Sequence, residues 1–280
     1  ATPAAATTGA TAGDRTATGR KLMRRQWKLT DLEFAVLWRD LREVLLPAPF
    51  TYTLRVGSNA EGERRFQHTR EHLAAIDFYG LDDTLDVVAK PDLRIILHSW
   101  DPRAPDDPET HVRLHAVRRS DRTYLLEQLP GETVRHSGGF TITECGYLEV
   151  ADLMAARLPE RQPGGLSEIV LPRETESLAG FGQSPVRRPH EDAASLATAR
   201  FRRTPQVRIG AVEVRQGICR HGPKYRARSG FWLLDLEDDG RYIVSSGRPR
   251  IATGADSAKV AARINSAVAE VIVSIRDQRL

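Results

Sequence analysis

The chain has 280 residues, 40% of them hydrophobic and 28% charged, with a net charge of +4. That length can bury one large core or two small ones, and the hydrophobic share is ordinary for a soluble protein. No apolar run approaches a membrane span, so no membrane insertion is expected, and the two cysteines, Cys145 and Cys219, match no metal or redox spacing and read as reduced thiols of a cytosolic protein.

Residues 1–25 are Ala, Thr, Gly and Arg without a continuous apolar stretch, and so read as a disordered tail rather than a secretory signal. Trp27–Leu46 reads as a helix. Thr30 and Glu33 form a capping box, each satisfying an orphan backbone N–H, and Leu29 and Phe34 occupy the staple positions. Phe34, Leu37, Trp38, Leu41 and Leu45 make one apolar stripe, and Pro47 and Pro49 stop it. Phe50–Val56 alternates apolar and polar residues and predicts a half-buried strand. Ser58 and Glu61 make a second capping box, opening a helix that uses Phe66, Leu73 and Ile76. A shorter helix, Leu81–Ala89, ends ahead of Pro91.

A β region follows, with strands at Leu93–Trp100, His111–Arg118, Thr123–Leu129 and Phe140–Cys145. Asp101–Glu109 is a Pro/Asp loop, while Ser120–Arg122 and Ser137–Gly139 read as turns. Such short connections favour an antiparallel meander. Tyr147–Leu158 is a helix closed by Pro159, and Arg161–Gly165 is a junction. Ser167–Arg203 is mixed, with a helix at Glu191–Phe201. Strands then run over Val207–Cys219, Phe231–Leu236 and Arg241–Val244. Arg220–Gly230 is a longer loop, and Glu237-Asp238-Asp239-Gly240 is a hairpin turn, because Asp and Gly both tolerate φ > 0. Asp256–Asp277 closes the chain as a helix.

Each half thus offers helices, an antiparallel set of strands and a closing helix. The fold class expected is α+β: two pseudo-symmetric lobes of antiparallel β-meanders packed with helices, over 26–165 and 166–280, forming one compact unit.

The chemistry is sparse. Asp235, Glu237 and Asp239-Gly240 imitate the start of a calcium loop, but the twelfth position is Ser246 and the flanks are strands. His111 and His115 share one strand face with His98 on a neighbouring strand, which could suit zinc and a metal-dependent enzyme, but Arg113 lies on the same face and would repel a cation. Neither a nucleophile elbow nor a phosphate-binding loop is present. Gly180-Phe-Gly182 follows no strand, and Cys145 is close to Glu144 and His136 only in sequence. The reading is therefore a binding module with no catalytic site, metal or cofactor.

Two features speak of partners. Arg200–Arg228 holds nine Arg and Lys against one acid, a net +8. It could face nucleic acid or another acidic ligand, although Arg alternates there with Val and Ile as on a solvated strand face, and that reading is preferred. In the last helix Val260, Ile264, Val268, Val271, Ile272 and Ile275 fall within an arc of roughly 80°. Ala258, Ala262, Ala269 and Val273 lie nearly opposite, where a simple surface helix would carry charge. A second covered side is expected, under a neighbouring helix or a partner.

Several segments together resemble a known family. They are Phe50–Val56 (FTYTLRV), Lys90–Leu97 (KPDLRIIL), Arg215-Gln-Gly217, and Phe231–Tyr242 (FWLLDLEDDGRY) before a terminal helix. From Trp27 onward the chain is similar to the EspG family, cytosolic substrate chaperones of actinobacterial type VII (ESX) secretion. The resemblance implies a quasi-two-fold α+β fold without enzymatic activity. It implies a secreted helical-hairpin partner, a PE–PPE-like heterodimer or a WxG-type protein, and leaves self-association into a homodimer open. It places the docking surface near Asp101–Glu109, the Phe231–Leu236 strand and the last helix, with Trp100, Phe231, Trp232 and Val273 as the residues expected to touch the partner. Each of the four reads equally well as core packing.

Overall fold

A computed structural model describes residues 25–41, 45–76, 79–166, 168–171, 189–219 and 222–277. Residues 1–24 of the expected tail and the glycine fragment at 180–182 lie outside the described residues. The elements in order are β1 (Gln26–Leu29), α1 (Asp31–Asp40), α2 (Asn59–Ala75), α3 (Leu81–Ala89), β2 (Leu93–Trp100), β3 (Val112–Arg119), β4 (Arg122–Pro130), β5 (Ser137–Cys145) and α4 (Val150–Ala155). Then come β6 (Ile169–Leu171), α5 (Pro189–Arg203), β7 (Gln206–Gln216), β8 (Arg228–Leu236), β9 (Arg241–Ser245), β10 (Arg250–Gly254) and α6 (Ser257–Asp277).

The strands form one sheet of ten, in the order β1-β5-β4-β3-β2-β7-β8-β9-β10-β6. The order repeats about its centre. Each half is a four-strand antiparallel meander whose last strand pairs with an edge strand drawn from just ahead of that half's helices. The halves join where β2 and β7 pair antiparallel, from Leu93 opposite Gln216 to Trp100 opposite Ile209. The expected lobes are therefore two halves of a shared sheet.

Successive strand residues point to opposite faces, and the two faces are covered differently. On the first, Ile95, Leu97, Leu114, Val212, Val214, Phe231 and Leu233 pack under α4 and α6. Ala151 and Ala155 of α4 and Ala261 and Ala267 of α6 are all buried there, and side chains this small let the two helices approach closely. On the second face, one end is covered by α1 and α3 over Trp27, Val117, Leu126, Phe140 and Ile142. The other end carries Phe201 of α5 over Ile169, Tyr242, Val244 and Ala252.

Local chemistry explains most boundaries. Thr30 Oγ1 accepts from Glu33 N at 3.2 Å and Glu33 Oε2 accepts from Thr30 N at 2.7 Å, so the first capping box is complete. The second is half formed. Ser58 Oγ accepts from Glu61 N, but Glu61 Oε2 accepts from Gly57 N instead of from Ser58. The first helix is shorter than its periodicity predicts. Trp27 is captured into β1, opposite Ile142, and Leu45 stands 81% exposed beyond the helix. Trp38 Nε1 donates to Leu45 O at 2.8 Å, which ties the departing chain back; residues 42–44 lie outside the described residues.

The Phe50–Val56 segment is extended but joins no sheet. Its polar side chains take over the role of a ladder. Thr51 Oγ1 donates to Val134 O at 3.0 Å, Thr53 Oγ1 to Arg135 O at 3.1 Å, and Thr51 N to Gln128 Oε1 at 2.8 Å. Ser137–Gly139, read as a turn, is the start of β5. The edge strands β1 and β6, and β10, are too short to show a periodicity of their own, and tertiary pairing alone defines them.

Candidate docking surface

Between the two covered ends of the second face lies an open strip of three strands, β2, β7 and β8. It is built by alternation: Ile96, His98 and Trp100 come from β2, Ile209, Ala211 and Glu213 from β7, and Gly230, Trp232 and Leu234 from β8. Register makes rows of them, Trp100–Ile209–Leu234 and His98–Ala211–Trp232. All are partly or fully exposed, and Leu234 at one edge packs against the cluster that holds Phe201 of α5. Trp232 is 38% exposed, an unusual state for so large an apolar side chain. From strand spacing and rise, Trp100 and Trp232 stand about 12 Å apart, diagonally across the strip.

Trp100 is held by imidazole. Its ring lies 4.7 Å from that of His98 and 6.0 Å, nearly parallel, from that of His111. His98 Nε2 and His111 Nδ1 are 3.1 Å apart, and His111 Nε2 is 2.9 Å from Pro105 O. His111 donates through Nε2 to Pro105 O, and His98 Nε2 lies between His111 Nδ1 and Arg113 Nε, the latter 3.5 Å away. Burial pulls His98 down to about 4, helped by the nearby charges of Arg113 and His111. His111 is lowered as well, chiefly by burial. The Asp101–Glu109 loop is fastened beside Trp100 by Arg103, which pairs with Asp101 at 2.7 Å and reaches Glu237 at 3.2 Å. The Arg103 guanidinium holds the Asp101 carboxyl down at about 2.

The histidines do not make a metal site. His115 turns away, its Nδ1 2.5 Å from Ala48 O and its ring against Phe50. Among the described residues no three ligating side chains converge. Burial draws His115 down to about 4. Because the folded chain binds these imidazole protons more weakly than the unfolded chain does, stability falls as pH drops from about 6.5 toward 4. For His115 alone the loss reaches about 3 kcal/mol. Urea unfolding at pH 7 and pH 4.5 checks this. The midpoint is expected to fall, and to fall less in His115→Gln; equal drops in both would remove His115 as the cause.

The four residues expected at a docking surface separate into two sets. Trp100 and Trp232 share the open strip. Phe231, one residue from Trp232, faces the other way, is 2% exposed, and lies under Arg263 of α6 with 5.4 Å from guanidinium to ring centre. Val273 is 54% exposed on α6, which covers the face opposite the strip. The second covered side expected of α6 is bare among the described residues: Ala258, Ala262, Ala269 and Val273 are exposed. Ile272, assigned to the core stripe by periodicity, is 38% exposed, and Ala261 and Ala267 supply the stripe in its place.

The basic segment is dispersed by the fold. Arg208 is half-buried and donates to Ser99 Oγ and Thr110 O, Arg215 pairs with Glu213, and Arg200, Arg202 and Arg203 sit at the end of α5. Among the described residues they form no continuous track for a phosphate backbone.

A model of the EspG family matches residues 30–266. The chain belongs to the EspG family. Among solved structures it is similar to the Mycobacterium tuberculosis type VII secretion system chaperone EspG5, determined in complex with the PE25–PPE41 dimer. The sequences are 15% identical, the TM-score is 0.58, and the match covers 88% of this chain and 97% of that one. At that identity the likeness is one of fold. Comparison with curated proteins finds no match.

The segments that carry the EspG resemblance prove to be structural. Gly217 N donates to Asp92 O at 2.8 Å, and a Cβ on Gly217 would stand 1.8 Å from Pro91 O, so only glycine fits. Gln216 Oε1 accepts from Ala227 N. The carboxylates of the calcium-like stretch go to three different places. Asp235 pairs with Arg241, Glu237 with Arg103, and Asp239 accepts from Tyr242 Oη and Gly165 N. No described helix of this EspG-family chain is long and apolar enough to cross a membrane.

Proposed function

We propose that this EspG-family chain is a cytosolic chaperone of a type VII secretion system, binding helical-hairpin substrates of PE–PPE-like or WxG type. It keeps an aggregation-prone apolar segment covered until export and changes no covalent bond. One observation carries this reading: the open strip on β2, β7 and β8, where Trp232 stands exposed and Trp100 half-buried on a rigid ten-stranded sheet. A sheet so braced by helices on its other face presents those rings with little ordering cost on binding. Aromatic anchors of this kind dominate the energetics of specific interfaces, which typically bury about 1,600 Å². The fold shared with EspG5, seen there with a PE–PPE dimer, supports the same assignment.

Co-expression with the helical-hairpin proteins encoded beside this chain tests it. A soluble complex of fixed stoichiometry is expected on size exclusion, with the hairpin protein insoluble when made alone. Recovery of every such protein in the unbound fraction would sink the proposal.

A further inference from the structure

The open strip has a charged end. One row beyond Ile96–Glu213–Gly230, register brings Arg94 opposite Arg215, and Arg215 opposite Arg228. Arg215 and Arg228 therefore stand side by side on the open face, while Arg94 beside them is half-buried and donates to Ala89 O at 3.0 Å. A third exposed arginine, Arg250 of β10, reaches the same end from the side, its guanidinium 4.6 Å from the centre of the Trp232 ring. Arg215, Arg228 and Arg250 are exposed. Among the described residues of the strip a single acid faces them, Glu213, and it is paired with Arg215 at 2.5 Å. Three exposed guanidinium groups against one carboxylate leave this end of the strip positive, while its middle is apolar.

Resting on the chaperone reading above, we infer that the strip receives a helical segment of the client whose carboxylates sit over Arg215, Arg228 and Arg250. Dimensions fit a helix. Three strands span about 10 Å, which matches the diameter of an α-helix with its side chains. From Arg94 to Trp100 the strip runs about 20 Å, or roughly 13 helical residues. An apolar stretch of the client would cover Trp100, Ala211 and Trp232, and acidic side chains at one end would meet the arginine row. Guanidinium groups offer paired donors to carboxylates. A phosphate backbone fits less well, because it would meet one short line of cations interrupted by Glu213 and bordered by indole and aliphatic surface.

The experiment is calorimetric titration of the co-purifying hairpin client against three forms of the full chain at several salt concentrations. The forms are wild type, the triple variant R215E/R228E/R250E and the Trp232→Ala variant, and the triple variant is titrated also with client whose acidic residues are changed to lysine. All three arginines are exposed, so a thermal melt serves to confirm folding. The triple variant is expected to bind at least ten-fold more weakly, with a flatter dependence on salt, and the lysine client is expected to recover affinity. Trp232→Ala is expected to weaken binding without changing the salt slope. Wild-type affinity and slope in the triple variant, with loss in Trp232→Ala, would overturn the inference and leave the chaperone reading intact. Absence of any complex would sink both. Duplex DNA that binds wild type with a steep salt slope and is lost in the triple variant, while that variant keeps wild-type client affinity, would assign the arginines to nucleic acid and overturn the inference.

Discussion

Replacing Trp100 and Trp232 together by alanine is expected to weaken client binding by about 2–4 kcal/mol, roughly 30-fold to 1,000-fold. The reasoning is geometric. Both rings stand on the open strip; Trp232 is exposed and loses little packing in the free protein when truncated, while Trp100 gives up its contacts with His98 and His111. Both would be desolvated by a helix laid across the strip. Phe231 provides the contrast. It is 2% exposed beneath α6, and Phe231→Ala is expected to cost about 3–5 kcal/mol of stability. Its folded fraction should still bind the client. Calorimetry paired with urea unfolding separates the two effects. Unchanged affinity in the double tryptophan variant would show that the strip is not where the client docks.

The second large effect concerns stability. Asp235 and Arg241 are 1% and 0% exposed and form a two-pronged pair, with Nε to Oδ1 at 2.7 Å and Nη2 to Oδ2 at 2.8 Å. Arg241 Nη2 also donates to Pro159 O, and Arg241 N and O bond to Gln162 and Gly164, which fastens the junction between the two halves to the sheet. Asp235→Ala leaves a buried guanidinium without its counter-ion and is expected to cost about 3–5 kcal/mol. Replacing both residues with apolar side chains of similar volume is expected to cost less than the single change, because no charge is then stranded. Urea midpoints of the three proteins decide this. A single variant within about 1 kcal/mol of wild type would mean that water reaches Arg241 and that the pair does not hold the junction.

The role of this pair explains why the family resemblance was legible while the docking surface was not. Arg215-Gln-Gly217 and Asp235–Tyr242 stand out as a pattern because Gly217 is constrained by backbone clearance and Asp235 and Arg241 by a buried ion pair. Those constraints are local and leave a mark on residue type. The strip places a different demand on its residues. Ala211 and Ile96 need only be apolar and uncovered, and nothing in their identity distinguishes them from core.

Local signals determined the elements that carry their own ends. Thr30 with Glu33, Pro91, and the Asp-Gly turn after β8 fixed α1's start, α3's end and the last hairpin, since capping and turn chemistry act within a few residues. The strands β2, β3 and β4, marked off by turn residues, and the apolar stripe of α6 were likewise readable, and so was the duplicated order of elements. Tertiary structure decided the rest. It set which strands are central, and so which face of β8 is bare; that is why Trp232 meets solvent while Phe231 is core. It drew Trp27 into an edge strand, left Phe50–Val56 tethered by side chains outside the sheet, and aligned Arg94 with Arg215 and Arg228 from far along the chain. The physical reason is one of range. A cap or a turn is a contact between near neighbours, whereas exposure and register depend on what the remainder of the chain brings alongside.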